Sequence, residues 1–156
     1  IAELIPGIPK NCEFEYSAPV IKEKETRLDG LLTPIDDNPE IPLIFLEAQM
    51  QRDKKFYSRY FRGIFSYLDQ YEISRNWHGL LILPNRNLEL GSERTYEVEL
   101  NNRVIRFYLK DLLYQDNLSP NLALLRLIVT PKAKAAEEAR QILDSATSET
   151  EFRLRL

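Results

Sequence analysis

The chain of 156 residues is poor in cysteine and histidine. It contains a single cysteine, Cys12, and a single histidine, His78. One cysteine permits no internal disulfide, and without a Cys/His cluster a structural zinc ion has no ligands, so a reducing compartment, the cytoplasm, is the expected location. For the same reason a Ser/His or Cys/His nucleophile mechanism has little support.

Long hydrophobic runs and an excess of positive charge are also missing. Apolar runs such as residues 79–83 fall far short of the roughly 20 residues that a membrane span needs, and no segment resembles a signal peptide. We therefore expect a soluble protein without a membrane partner. The formal net charge of -3 argues against a surface that is basic all over. Nucleic-acid binding would have to use a local basic patch.

The composition that is present is that of a folded globular protein, with 44% hydrophobic and 29% charged residues. The length suits one domain with a sizeable core. No internal repeat, low-complexity tract or change of composition divides the chain, which predicts a single domain over residues 1–156.

Residues 41–52 contain the pattern that is most informative about function. Four apolar residues at 43–46 predict a central strand that is covered on both faces. Glu47, Gln49 and Gln51 then alternate with Ala48 and Met50, which puts the carboxylate and the two carboxamides on one face. A carboxylate in such a strand is costly unless it is paired or binds a metal ion.

An amphipathic helix is predicted to follow, from Asp53 as its N-cap to about residue 71. Its apolar half is expected to face the core and comprises Phe56, Tyr57, Tyr60, Phe61, Ile64, Phe65, Tyr67, Leu68 and Tyr71. A basic stripe on the other side comprises Arg52, Lys55, Arg59 and Arg62. This stripe could follow a DNA backbone, or it could equally be a solvated helix face.

The remaining elements are predicted with less detail. Strands are expected at 12–21, 24–33 and 77–84, and two more at 94–100 and 103–109 about a tight turn at Asn101-Asn102. Residues 120–129 fit a strand or a short helix, and a helix begun by Ser119 and Pro120 is preferred. A closing helix is expected at 131–146.

Asp29, Glu47 and Gln49 are the residues that could carry chemistry. Two carboxylates on neighbouring strands provide hard oxygen ligands for Mg²⁺, which fills its other positions with water and phosphate oxygens. Such an ion activates water and neutralises charge on a phosphate under attack. The alternatives are that Asp29-Gly30 is a hairpin turn and that Glu47 simply pairs with Arg27 or Arg52.

The stretch LEAQMQRDKKFYSRYFRGIFSYLDQY at residues 46–71, with Asp29 in RLDG, resembles the PD-(D/E)XK nuclease superfamily. In detail it is most similar to a bacterial branch of transposase-associated or recombination-promoting nuclease-like proteins. The resemblance covers most of the chain. It implies an α/β (α+β) fold with a restriction-endonuclease-like core, in which helices flank a central mixed β-sheet.

The resemblance also implies a site. Asp29, Glu47 and the carbonyl of Ala48 would bind Mg²⁺, or Mn²⁺ in its place, and Gln49 would orient water or phosphate where the wider superfamily has lysine. DNA would be the partner of Gln51, Arg52, Lys55, Arg59 and Arg62. Superfamily members often form homodimers, and many use a further acidic residue on a first helix, which would precede Ile1 here.

Two other functional classes remain open at this point. Glutamine carries no charge to stabilise a pentavalent phosphate, so the chain could be a catalytically inactive nuclease-fold module that binds DNA or a protein partner. A purely structural or oligomerising domain is the third reading, and it leaves a buried Glu47 unexplained.

Overall fold

The structure is a computed structural model that describes residues 5–9, 12–18, 20–21 and 26–144. The chain divides into two compact units. One consists of Ile1–Leu83 and Asn87–Phe107, and the other of Pro84–Arg86 and Tyr108–Leu156. In the part of the chain that the structure describes, no helix has the length and apolar character needed to cross a membrane.

The first unit is built on a five-stranded mixed sheet in the order β1-β4-β5-β6-β7. The strands in chain order are β1 Phe14–Ser17, β2 Val20–Ile21, β3 Thr26–Arg27, β4 Gly30–Pro34, β5 Leu43–Ala48, β6 Trp77–Leu83 and β7 Val104–Tyr108. Strand β4 is antiparallel to β1 and β5, whereas β5 and β6 are parallel. Strands β2 and β3 form a separate antiparallel pair. The predicted mixed α/β class is confirmed.

The strands expected at 12–21 and 24–33 are each divided in the structure. The first contains β1 and β2, and the second contains β3 and β4. Residues 22–25, where the second strand was expected to begin, lie outside the described residues. The strand expected at 77–84 is confirmed as β6.

Strand β5 lies in the middle of the sheet, as its apolar run predicts. Ile44 and Phe45 are completely buried. The strand ends at Ala48 rather than continuing to residue 52, although the N–H of Gln49 still donates to the carbonyl of Ile82 at 3.0 Å. The alternation of side chains therefore stops after Gln49, and Gln51 does not belong to the strand face.

Helix α1, Phe56–Gln70, follows β5 and packs its aromatic side against the sheet. The Tyr67 ring lies 5.6 Å from that of Phe45, and the Phe65 ring lies 6.1 Å from that of Trp77, in edge contacts that aromatic pairs favour. Asp53 orders the turn before the helix, because its Oδ1 accepts from the N–H of Lys55 at 2.9 Å. The N-cap is Lys55, so the helix begins two residues later than the prediction with Asp53 as its N-cap.

The predicted hairpin about Asn101-Asn102 is wrong in its first strand. A 3-10 turn at Arg94–Tyr96 leads into α2, Glu97–Asn102. Val98 is 68% exposed while Leu100 is 2% exposed, so the alternating residues do not share a buried strand face. Acidic residues in the first turn, here Glu97 and Glu99, favour a helix through its dipole. The second strand is confirmed as β7.

The second unit is helical in its described part. It contains a 3-10 segment at Leu109–Tyr114, α3 at Pro120–Leu127 and α4 at Lys132–Asp144. The preference for a helix after Ser119 is confirmed, with Ser119 as the N-cap residue, although its hydroxyl makes no capping hydrogen bond. The closing helix is confirmed up to Asp144, and the last two of its expected residues lie outside the described part.

Candidate active site

The register of β4 and β5 brings two carboxylates together. Gly30 pairs with Leu46, so Asp29 and Glu47, one step further along this antiparallel pair, stand opposite each other. Opposite residues of antiparallel strands share a face. Asp29 Oδ2 accepts a hydrogen bond from the N–H of Ala48 at 3.0 Å, which holds the carboxylate at the end of β5.

Tyr16 and Gly30 hold the backbone of Asp29. The Tyr16 hydroxyl donates to the Asp29 carbonyl at 2.6 Å. A Cβ atom on Gly30 would lie 2.3 Å from Cε2 of the Tyr16 ring, so the ring can lie across β4 only because residue 30 has no side chain. Gly30 is the first residue of β4, which pairs with β1 and β5, so the alternative of an Asp29-Gly30 hairpin turn is wrong.

Glu47 is buried, with 4% of its surface exposed. Its Oε1 accepts from Nη1 of Arg59 at 3.0 Å. Burial raises the pKa of Glu47 above its ordinary value, and the nearby charge of Asp29 raises it further, while the hydrogen bond and charge of Arg59 oppose the shift. The net direction is upward. The carboxylate is therefore held in a place that disfavours its ionised form.

The sequence alternative in which Glu47 pairs with Arg52 is wrong. Arg52 forms its ion pair with Glu89 at 2.5 Å. The side chain of Arg27 lies outside the described part of the structure. The observed partner is Arg59, twelve residues after Glu47 on α1.

Arg59 connects three acceptors of the site. Besides its contact with Glu47, its Nη2 donates to Gln49 Oε1 at 3.2 Å and lies 3.4 Å from Asp53 Oδ2. The Arg59 side chain remains 38% exposed. A single guanidinium thus spans the strand face of β5 and the turn before α1, and it is reachable from solvent.

The position of Arg59 corrects the prediction of an outward-facing basic stripe. Its neighbours one turn away on the apolar side, Phe56 and Gly63, are buried, whereas Lys55 and Arg62 are exposed. Arg59 therefore stands at the border of the buried face. This border position was readable from the spacing of the apolar residues, and it is the signal that the sequence prediction missed.

Gln49 has protein partners at both ends of its carboxamide. Its Oε1 accepts from Arg59, and its Nε2 donates to the carbonyl of Gln51 at 2.6 Å. Gln51 contributes this carbonyl, while the residue as a whole is exposed. The structure therefore brings Asp29, Glu47, Gln49 and Arg59 together in one network.

The other predicted DNA-binding side chains are distributed differently. Arg52 lies 2.5 Å from Glu89, which also lies 3.5 Å from Lys54, a cation outside the predicted stripe. Lys55 and Arg62 are exposed along α1. Of the basic residues in the predicted stripe, only Arg59 contacts the carboxylate cluster within the described part of the chain.

Tyr60 adds a buried polar atom next to the site. It is 2% exposed, as its predicted place in the core requires, and its hydroxyl has no hydrogen-bond partner among the described residues. Burial, and then the charge of Glu47, raise the pKa of this hydroxyl. A Cβ atom on Gly79 would lie 2.2 Å from the Tyr60 hydroxyl oxygen, so the ring fits only above a glycine.

The donor set suits a magnesium ion that keeps part of its water shell. The oxygens of Asp29, Glu47 and the Ala48 carbonyl are hard ligands, and Mg²⁺ typically binds one or two carboxylates together with water and phosphate. The carboxylates of Asp29, Glu47 and Asp53 together with the guanidinium of Arg59 carry two formal negative charges in excess, which a divalent cation would balance. No group of three or more His, Cys, Asp or Glu side chains that could hold a metal ion occurs in the part of the chain that the structure describes.

Fold and site together define a mixed α/β protein with a two-carboxylate site at the end of its central strand. The chain belongs to the family described as "Protein of unknown function (DUF2887)", which matches residues 1–155. Comparison with curated proteins and with solved structures finds no match.

Proposed function

We propose that the protein is a Mg²⁺-dependent DNA endonuclease of the PD-(D/E)XK type, related to recombination-promoting nucleases and acting in the cytoplasm. The observation that carries the proposal is the pairing of an exposed, backbone-anchored Asp29 carboxylate with the buried Glu47 carboxylate, whose pKa is raised. Titratable groups perturbed by burial and by a specific charged neighbour are concentrated at functional sites.

The proposed reaction is hydrolysis of a phosphodiester. A bond forms between a water oxygen and phosphorus, the ester bond to one sugar oxygen breaks, and the products are a phosphate monoester and a hydroxyl. Asp29, Glu47 and the Ala48 carbonyl would hold Mg²⁺ or Mn²⁺, which when bound activates water and neutralises phosphate charge. Gln49 would orient the water or the phosphate.

The exposed basic residues give the proposed enzyme its DNA contacts. Lys55 and Arg62 on α1, with Gln51 and Arg52 just before it, lie along the chain that leaves the site. Contacts of this kind bind phosphates without reading sequence, and their affinity falls steeply with salt. A homodimer would allow both strands to be cut.

A second candidate is a catalytically inactive module of the same fold that binds DNA or a protein partner. The observation that favours it is Gln49, which carries no charge and whose carboxamide is engaged at both ends. This candidate predicts salt-sensitive DNA binding without metal-dependent cleavage.

Incubation of the full-length protein with supercoiled plasmid and Mg²⁺ or Mn²⁺ separates the two candidates. We expect relaxed or linear DNA from the parent protein and from Asp111→Asn, which removes a carboxylate of the second unit. We expect intact plasmid from Glu47→Gln and Asp29→Asn. Intact plasmid with the parent protein under both metals, together with DNA retention in a gel shift, would favour the binding module.

A further inference from the structure

We infer that Arg59 binds a phosphate group of the DNA backbone at this site and supplies, from helix α1, the positive charge that Gln49 cannot supply from β5. The inference rests on the proposed function, because it assumes that the Asp29 and Glu47 site receives DNA. It concerns a residue whose side chain the sequence pattern placed on the opposite, outward side of the helix.

The geometry puts the Arg59 guanidinium over the strand face. Nη1 lies 3.0 Å from Glu47 Oε1, and Nη2 lies 3.2 Å from Gln49 Oε1. Glu47 and Gln49 are alternate residues on one strand face. These are the positions of the acidic and the basic residue in an acidic-x-basic motif, and the Arg59 guanidinium contacts both of them. Arginine presents five N–H donors in a rigid fork, which matches the oxygens of a phosphate.

The guanidinium is accessible, and it is the cation that contacts the Glu47 carboxylate among the described residues. Arg59 is 38% exposed, whereas its partner carboxylate on Glu47 is 6% exposed. Of the three cations just before the helix, Arg52 and Lys54 are directed to Glu89, and Lys55 is exposed. In the described part of the chain, the ion pairs of Glu47 and Asp53 are both with Arg59.

The charge balance of the site explains how Arg59 can contact carboxylates when no cation is bound and a phosphate when one is bound. Without a cation, its guanidinium offsets part of the negative charge of Asp29, Glu47 and Asp53. A divalent cation on Asp29 and Glu47 would weaken the attraction between the Glu47 carboxylate and the guanidinium. Its N–H groups would then be free to donate to a phosphate, a charge-assisted hydrogen bond stronger than one to a neutral acceptor.

A purely structural ion pair would behave differently. Its loss would change the stability of the fold, since it would leave Glu47 buried without a positive partner. It would not change the number of phosphates that the protein neutralises. The salt dependence of DNA binding therefore distinguishes a phosphate contact from an ion pair that only supports the fold.

The test uses Arg59→Gln and Arg59→Lys, with Arg94→Gln as a control that removes one exposed positive charge of the same unit. Duplex DNA binding is measured at a series of salt concentrations with Ca²⁺ present, and the DNA is checked afterwards to be intact. For Arg59→Gln, we expect the slope of log K against log salt to become shallower by about 0.9, the value of one phosphate contact. Arg94→Gln is expected to keep the parent slope.

Arg59→Lys keeps the positive charge and removes the planar set of guanidinium N–H donors. We expect it to keep the parent slope while binding DNA several-fold more weakly, because lysine does not form the bidentate contact. Thermal melting verifies that each variant is folded. If Arg59→Gln does not fold, Arg59→Lys decides the question, and a folded Arg59→Lys with parent affinity would overturn the inference.

The outcomes separate this inference from the proposed nuclease activity. A shallower slope in Arg59→Gln, with no plasmid cleavage by the parent protein, would support the phosphate contact and contradict the nuclease. Cleavage by the parent protein together with an unchanged slope in Arg59→Gln would support the nuclease and overturn the role of Arg59.

Discussion

Two arginine–carboxylate pairs of this protein differ in geometry and in burial. Stability alone would favour the better hydrogen-bonded pair at the buried position, and the protein has the opposite arrangement. In the second unit, Arg86 meets Asp111 through two parallel contacts of 2.5 and 2.8 Å, at a place where the side chains are 63% and 39% exposed. In the first unit, Glu47 is buried but receives one contact of 3.0 Å from a guanidinium that it shares with Gln49 and Asp53.

The consequences for the carboxylates are opposite. The hydrogen bonds and charge of Arg86 hold the pKa of Asp111 below its ordinary value, whereas burial and Asp29 raise the pKa of Glu47. Exposed pairs contribute little to stability, and buried charges need excellent geometry to recover the cost of leaving water. The pair with the better hydrogen-bond geometry, Arg86–Asp111, thus lies at the exposed position, where it contributes least to stability. The weaker pair lies at Glu47, which is typical of a residue retained for function at some cost in stability.

The largest difference between the two pairs is expected in catalysis. Glu47→Gln should lower the rate of metal-dependent plasmid nicking by about 100-fold or more, as losses of a preorganised charged group in an active site commonly do. Asp111→Asn should leave this rate unchanged. Initial rates measured with both variants under equal Mg²⁺ check the expectation, and equal rates for Glu47→Gln and the parent would contradict it.

The packing beside Glu47 is expected to give the largest effect on stability. Gly79→Ala should lower the free energy of unfolding by roughly 1–3 kcal/mol, the usual cost of overpacking a core. The reason is the 2.2 Å approach of the new Cβ to the Tyr60 hydroxyl oxygen. Urea unfolding of the single variants and of Gly79→Ala with Tyr60→Phe measures this contact, and the double variant should recover part of the loss.

The two buried tyrosines of α1 should respond in opposite directions when their hydroxyls are removed. The Tyr60 hydroxyl has no partner among the described residues, so Tyr60→Phe should raise the free energy of unfolding by about 1 kcal/mol. The Tyr57 hydroxyl donates to Glu93 Oε1 at 2.8 Å, so Tyr57→Phe should lower it by about the same amount. Denaturant unfolding compares the two, and a loss of stability in Tyr60→Phe would show that its hydroxyl has a partner.

The two pairs should also differ in the pH dependence of stability. Asp111 has a lowered pKa, so its contribution is present above its ordinary value of 3.8 and is lost as the pH falls through the lowered pKa. Glu47 has a raised pKa, so the folded protein binds this proton more tightly than the unfolded chain does. Its favourable contribution is present below 4.5 and is lost as the pH rises through the raised pKa.

Melting temperatures from neutral pH down to about pH 2 check this contrast. At neutral pH, Glu47→Gln should melt above the parent and Asp111→Asn below it. The Glu47→Gln difference should become smaller as the pH falls through the raised pKa of Glu47 towards 4.5. The Asp111→Asn difference should become smaller only below pH 3.8. A Glu47→Gln variant that is less stable than the parent at neutral pH would mean that the ion pair with Arg59 outweighs the cost of burial.

The sequence predicted the parts of the fold that depend on local patterns. The apolar run at 43–46 and the helical spacing of the aromatic residues each identify an element, because burial requires those periods. The hairpin expected about Asn101-Asn102 failed because alternation of apolar residues over a few positions also occurs on a short helix. Whether residues 97–102 form a strand or a helix depends on whether Val98 is buried. Val98 is exposed, and the sequence pattern alone does not reveal this exposure.

The two carboxylates of the candidate site could be predicted from the sequence, but the residues that contact them could not. Asp29 and Glu47 meet because the register Gly30–Leu46 carries them opposite each other, as expected for neighbouring strands. The contact of Arg59 with Glu47 depends on how α1 packs on the sheet, which is a tertiary property. The hydrogen bond from Tyr16 to Asp29 likewise depends on the pairing of β1 with β4.

Titration of Mn²⁺ into the full-length protein, with free Mn²⁺ followed by electron paramagnetic resonance, measures whether Asp29 and Glu47 form a divalent-cation site. We expect one tightly bound Mn²⁺ per chain in the parent protein and in Asp111→Asn, and loss of this binding in Glu47→Gln. Identical binding curves for the parent and Glu47→Gln would contradict this expectation.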